Sequence, residues 1–261
     1  MVNSQCNARY YMDDLLKIMK TLRAPGGCPW DREQTHQSIR QNMLEEAYEA
    51  ADAIDHNDMD NLKEELGDVL LQVVFHACMA EENGQFTFED VVDGVCRKLV
   101  YRHPHVFGTV EAENAQGALS AWDAQKRLEK GQRTTADAMD AVAQAMPALI
   151  RAEKIQGKAQ KAGFDWEEVA PALDKLAEEV DELRQSIREH SNVEEELGDL
   201  LFAAVKVGRF AGVESETALQ KASGKFIRRF RRMEELTARP LEELDIPELE
   251  RLWRKVKSEE R

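Results

Sequence analysis

The chain has 261 residues, 43% of them hydrophobic, which suits one large domain or two ordinary ones with a real core and excludes wholesale disorder. Its formal net charge of -15 disfavours duplex nucleic acid and anionic membranes, both of which are bound through Lys and Arg, and makes a metal cation the natural complement of the surplus carboxylate. Cys6, Cys28, Cys78 and Cys96 lie too far apart for a zinc pattern and read as free thiols, and with no basic-then-apolar leader and no apolar run of about 18 residues a cytoplasmic protein without a membrane span is expected.

Along the chain, Met12, Leu15, Leu16, Met19 and Leu22 recur at helical spacing. Ala24-Pro25-Gly26-Gly27 stops that helix and opens a loop through Cys28-Pro29-Trp30-Asp31. Helical patterning resumes near Ile39 and runs to about Asp55. After the polar turn His56-Asn57-Asp58, a second helix is expected over residues 59–82, closed by Asn83-Gly84. A third spans about 88–101 and breaks at His103-Pro104-His105. Residues 108–120 are polar and acidic without a strong period and read as a linker; helices follow at 121–130, 136–146 and 148–162. Nothing alternates as a strand would, so the fold class is all-α.

The chain also repeats itself. Leu44-Glu45-Glu46-Ala47-Tyr48-Glu49 matches Ala177-Glu178-Glu179-Val180-Asp181-Glu182 at an offset of 133 residues (179 − 46). Glu64-Glu65-Leu66-Gly67-Asp68 matches Glu195-Glu196-Leu197-Gly198-Asp199 at an offset of 131 (196 − 65), which predicts a shorter connecting turn in the second copy. Lys98 and Arg102 correspond to Lys225 and Arg229. Two related helical modules in tandem are the simplest account: residues 1–108, a linker with helices over 109–147, and a second module over 148–261.

Within the second copy, Glu179 and Glu182 stand at i and i+3 and share a helix face, as do Glu196 and Asp199 on the next helix. A helical hairpin between them would bring four carboxylates to one point. The first copy offers Glu46, Glu49, Glu65 and Asp68 in the same register. Facing carboxylates repel, and a hard divalent cation with oxygen ligands removes that conflict. Glu-rich helices are ordinarily just solvated faces, but these carboxylates alternate with Leu44, Val69, Leu197 and Leu200, and the two-block pattern occurs twice. Gly67 and Gly198 sit mid-helix, where Gly costs about 1 kcal/mol relative to Ala, and room for a ligand or a packed helix would explain them.

E-E-x-x-E followed by E-x-x-D resembles the motif of the all-α nucleoside triphosphate pyrophosphohydrolases. Gly27-Cys28-Pro29-Trp30-Asp31, Arg102-His103-Pro104-His105-Val106-Phe107 and Gly163-Phe164-Asp165-Trp166 narrow the resemblance to the MazG family, over about residues 12–258. The resemblance implies cleavage of nucleoside triphosphates between the α and β phosphates, with the second module carrying the activity. It implies Mg²⁺, with Mn²⁺ as a substitute, held by Glu179, Glu182, Glu196 and Asp199. It also implies that Lys126, Lys175, Glu178, Glu195, Lys225, Arg228, Arg229 and Trp253 line the nucleotide site. Glu178 is the candidate general base, with a rival assignment giving that role to a metal ligand and leaving Glu178 as a nucleotide contact.

Because the first copy keeps its carboxylates, they give no reason to call it inactive, but charge favours the second. Residues 1–130 hold 13 basic and 23 acidic residues, and residues 131–261 hold 22 and 27, with cations gathered at 151–161 and 221–232. Trp122, Trp166 and Trp253 are either base-stacking or core residues. An exposed apolar face is expected on such hairpins, and with it a homodimer completing the helical bundles. A relative within the same superfamily, such as a dedicated dUTP or dCTP hydrolase, is one rival reading, although those typically lack this tandem layout, and two further rivals stand outside it. A carboxylate-bridged di-iron bundle has only Glu33-x-x-His36 in its favour. An acidic helical scaffold for a regulatory protein partner predicts that carboxylate-to-amide changes are harmless.

Overall fold

The computed structural model describes residues 9–109 and 114–260, and among them every regular element is helical. The chain falls into two compact units, Met1–Lys126 and Arg127–Arg261, divided within one helix. The two tandem helical modules expected from the repeat are thus built as an all-α fold.

In the first unit, α1 (Met12–Arg23) leads through the short α2 (Pro29–Glu33) to the hairpin of α3 (Arg40–Asp55) and α4 (Met59–Glu82). The loop expected through Trp30 is helical because Pro29 occupies its first turn, where the missing N–H would have had no partner. Asp58 caps α4 by accepting from the Asn61 N–H at 3.0 Å, and Gly84 ends it at φ 64°, a left-handed conformation that favours glycine. The core lies where α1 crosses α4: Met19, Ile39, Val74, Phe75, Cys78 and Met79 are buried, with Leu15, Leu16, Leu71 and Phe88 packed on them. Two ion pairs tie the same helices, Lys20 to Glu81 at 2.8 Å and Arg23 to Glu82 at 2.7 Å. α5 (Phe88–Arg102) starts at a capping box between Thr87 and Asp90, and α6 (Pro104–Phe107) follows the expected break.

α7 (Ala115–Glu129) corrects the linker expected over 108–120. Asn114 accepts a hydrogen bond from the Gly117 N–H at 2.9 Å, a helix-start signal that the polar composition obscured. Residues 110–113 of that stretch lie outside the described residues. α8 (Thr135–Asp140) is shorter than the expected 136–146, and Pro147 stands at the N-cap of α9 (Ala148–Lys161).

In the second unit, α10 (Ala170–Glu189) and α11 (Val193–Phe210) form the hairpin, and α9 packs on α11. The buried Gln156 of α9 donates to the Phe202 carbonyl at 2.8 Å. α12 (Ser215–Leu236) packs on α9 and α13 (Ile246–Glu259). The connecting turn is not shorter in the second copy: residues 56–58 and 190–192 are both three long. The two-residue difference is absorbed in the helices, chiefly because α11 begins closer to its motif than α4 does.

Several helices keep apolar side chains in solvent, among them Val91, Val92, Val95 and Leu99 of α5 and Leu219, Phe226, Ile227 and Phe230 of α12. Among the described residues no helix is long and apolar enough to cross a membrane.

Candidate active site

Each hairpin delivers its carboxylates as the i, i+3 spacing requires. In the second, Glu179 of α10 with Glu196 and Asp199 of α11 present oxygens that all lie within 4.8 Å of one another. In the first, Glu46 and Glu49 of α3 and Glu65 of α4 do the same. Opposite ligand oxygens around a cation at about 2.1 Å stand about 4.2 Å apart, so both clusters suit a hard divalent cation with little movement. The donor set is all carboxylate, as such a cation prefers.

The fourth carboxylate of each hairpin is close by. Partial desolvation by its neighbours and then the hydrogen bond shared with Glu179 push the exposed Glu182 carboxyl above its ordinary range, against the pull of Lys175. Desolvation, then the charge of Asp68, and after it Glu49, raise Glu46, while a hydrogen bond from Gln72 opposes the rise. Glu65, buried on α4, is raised by desolvation and by Glu49, Asp68 and Glu46. These shifts are the mutual repulsion of clustered anions seen residue by residue.

Lys175 separates the two hairpins. Its Nζ is 2.8 Å from both Glu178 and Glu179, and those hydrogen bonds push its pKa above the ordinary lysine value. Glu178 and Glu195 are exposed beside the cluster. On α12, Lys225, Arg228 and Arg229 converge on Glu260, whose carboxyl is held low chiefly by the Arg229 hydrogen bond. The Arg229 guanidinium also lies 5.6 Å from the Trp253 ring centre, with Phe226 5.3 Å from the same ring. Trp253 is therefore a half-buried aromatic with a cation on it, neither plain core nor free platform. Lys126 falls in the first unit, 4.8 Å over Trp122, which also carries Arg102 at 5.1 Å.

Asp165 takes a part that residue spacing did not suggest. Its side chain is 8% exposed and is paired with Arg209 and, at 2.9 Å, with Lys206. Although burial would raise its carboxyl, the hydrogen bonds from Lys206 and Arg209 hold it below the ordinary aspartate value. Lys206 also lies 4.6 Å over Trp166, itself substantially exposed. At the motif's 131-residue offset, Phe75 and Cys78 replace Lys206 and Arg209 in the first copy, so there Trp30 meets Phe75 edge-on instead. The available signal was a pair of cations at i, i+3 on the otherwise apolar end of α11. The di-iron reading finds no support in geometry: His36 Nδ1 pairs with His76 Nδ1 at 2.7 Å, not with the carboxylate cluster.

Comparison with known proteins agrees with this arrangement. The MazG nucleotide pyrophosphohydrolase domain matches the chain twice, at residues 34–107 and 167–233, and each match contains one complete carboxylate hairpin. The chain belongs to the MazG family. A nucleoside triphosphate pyrophosphohydrolase of Escherichia coli (strain K12) is 46% identical over 95% of this chain and 98% of its own length. The nucleoside triphosphate pyrophosphohydrolase/pyrophosphatase MazG of Thermotoga maritima is 44% identical over 94% of this chain and 95% of its own. Both relatives therefore align along the tandem, not with one module alone.

Proposed function

We propose that this MazG-family chain hydrolyses nucleoside triphosphates, ribo- or deoxyribo-, between the α and β phosphates, releasing the nucleoside monophosphate and pyrophosphate. The observation that carries the reading is the convergence of Glu179, Glu196 and Asp199 from two helices inside the second matched domain. The working module is residues 148–261, with 1–108 as a related module and 109–147 between them.

Glu179, Glu182, Glu196 and Asp199 are the residues that hold Mg²⁺, or Mn²⁺ in its place; Glu46, Glu49, Glu65 and Asp68 are the equivalent set of the first module. Bound there, the cation supplies neutralisation of the charge that builds on the departing pyrophosphate. Lys175, Lys225, Arg228 and Arg229 clamp phosphate oxygens by charge-assisted hydrogen bonds. Trp253 and Glu195 contact the nucleotide. Glu178, exposed at the edge of the cluster, orients the attacking water and takes its proton. Turnover that survived Glu178→Gln would remove that role and leave Glu178 as a nucleotide contact. The exposed apolar faces of α5 and α12 support a homodimer. The setting is the cytoplasm, where the reaction would clear the nucleotide pool.

The test is product analysis with purified chain, Mg²⁺ and a panel of nucleoside triphosphates, beside Glu49→Gln and Glu182→Gln. Monophosphate and pyrophosphate, lost by at least about 100-fold in Glu182→Gln and kept in Glu49→Gln, are expected from the loss of one ligand carboxylate. The reverse pattern would move the reaction to the first module. No turnover of any nucleotide would replace the enzyme with an acidic scaffold.

A further inference from the structure

The repeat provides an internal comparison for Lys175. Glu179 aligns with Glu46 at an offset of 133, which sets Lys175 against Asn42 (175 − 133). Glu179 is the most buried carboxylate of its cluster, with a side chain only 7% exposed. Lys175 Nζ lies 2.8 Å from one of its oxygens and 2.8 Å from an oxygen of Glu178. An ammonium in hydrogen-bond contact with a shielded carboxylate is held more firmly than a surface pair. Asn42 brings no charge to the corresponding place.

A divalent cation and Lys175 draw on the same Glu179 carboxylate. A cation that takes full possession of it leaves the ammonium with Glu178 alone. An ammonium that has lost one of its two carboxylates can take another anion in its place, and the triphosphate is the anion this site receives. The Lys175 side chain is 39% exposed, so its four-carbon stem can swing without moving α10.

We infer that Lys175 couples metal loading to nucleotide binding in the second module, so that cation and triphosphate enter together, while the first hairpin, with Asn42, takes a cation alone. The inference rests on the metal-dependent reading above. It makes Lys175 a positioning residue for Glu178 and Glu179 as well as a phosphate contact.

The probe is Mn²⁺, titrated into the full-length chain and followed by its electron paramagnetic resonance without nucleotide. Glu46→Gln, Glu49→Gln and Glu65→Gln together silence the first hairpin. In that background Lys175→Met is expected to bind Mn²⁺ about tenfold more tightly, the loss of one competing charge-assisted pair. Lys175→Arg, which restores the competitor, should stay near the parent. With the first hairpin intact and the second silenced by Glu179→Gln, Glu182→Gln and Glu196→Gln, Asn42→Lys should weaken Mn²⁺ binding by a similar factor.

The coupling itself is read from the affinity of a non-hydrolysable α,β-methylene triphosphate with and without Mn²⁺. Its enhancement by the metal should shrink in Lys175→Met, the Mn²⁺–nucleotide complex in solution being common to both proteins. Mn²⁺ binding in Lys175→Met no tighter than in the parent, with the helical circular dichroism unchanged, would overturn the coupling but leave the metal centre standing. No Mn²⁺ binding to either hairpin would remove the metal centre, and the coupling with it.

Discussion

At Glu179 burial and charge oppose each other, and the surrounding residues show how the conflict is met. Burying a carboxylate costs several kcal/mol unless a cation or donor compensates; here Lys175 serves, and a divalent cation would serve better. The raised carboxyls of Glu46, Glu65 and Glu182 give the pH dependence its sign. Without a cation the folded chain holds these protons to higher pH than the unfolded chain, so this contribution to stability falls as pH rises through that range. A cation expels the protons, so its affinity rises with pH and is lost on acidification, starting above the ordinary glutamate value of 4.5. Calorimetric Mn²⁺ titrations at stepped pH check this, and an affinity that did not fall as the pH was lowered toward 4.5 would contradict it. Asp165 has the opposite sign. Its depressed carboxyl stabilises the second unit above the ordinary aspartate value of 3.8, and the stabilisation is lost as pH falls through its lower folded value. Asp165→Asn strands Lys206 and Arg209 with side chains 15% and 12% exposed. It should cost about 3 kcal/mol in a urea melt.

Among the helices, the two hairpins answer a question that the sequence raised about Gly67 and Gly198. A Cβ at either position meets no described atom within 4 Å, so no packed helix among the described residues requires a glycine there. Open space at both positions leaves the ligand explanation standing and removes packing among the described residues. Gly67→Ala is therefore expected to stabilise the first unit by about 1 kcal/mol, the helix-propensity difference, measured by thermal melting. Gly198→Ala should gain similar stability and lose turnover if nucleotide approaches that face. The hairpin turns differ although their lengths do not: the first uses one left-handed residue, Asn57 at φ 54°, and the second uses two, His190 at φ 54° and Asn192 at φ 50°. Asn tolerates that region better than most side chains, which explains its use at both turns.

Across the whole molecule, apolar helix faces remain in water in both units. The side chains of Val92, Val95 and Leu99 on α5 are each more than one third exposed, which a stable soluble chain seldom leaves uncovered in a continuous row. A second copy is the simplest cover, and light scattering on the eluting protein should return twice the 29.7 kDa of the chain. Val95→Glu with Leu99→Glu should shift it toward the single-chain mass. A dimer that survives both changes would clear α5 of the role and turn attention to α12.

Much of this was legible in order along the chain. Helical periodicity, the stops at Gly84 and His103-Pro104, and the doubled carboxylate pattern determined an all-α tandem and the eight candidate ligands, because i, i+3 spacing fixes a helix face without reference to any neighbour. What escaped were signals whose meaning depends on a partner far away. Asn114 opening α7 looked like one more polar residue in a polar stretch. Asp165 looked like part of a family motif until Lys206 and Arg209 closed on it from α11. Lys175 sits one turn before Glu179 in any helix, but only the packed hairpin decides that Glu179 is buried and that the ammonium is its counter-charge. Spacing along one helix is a local property of the chain. Burial, and with it the strength of every charge in the site, exists only once α10 lies against α11, because only then does protein replace water around those carboxylates.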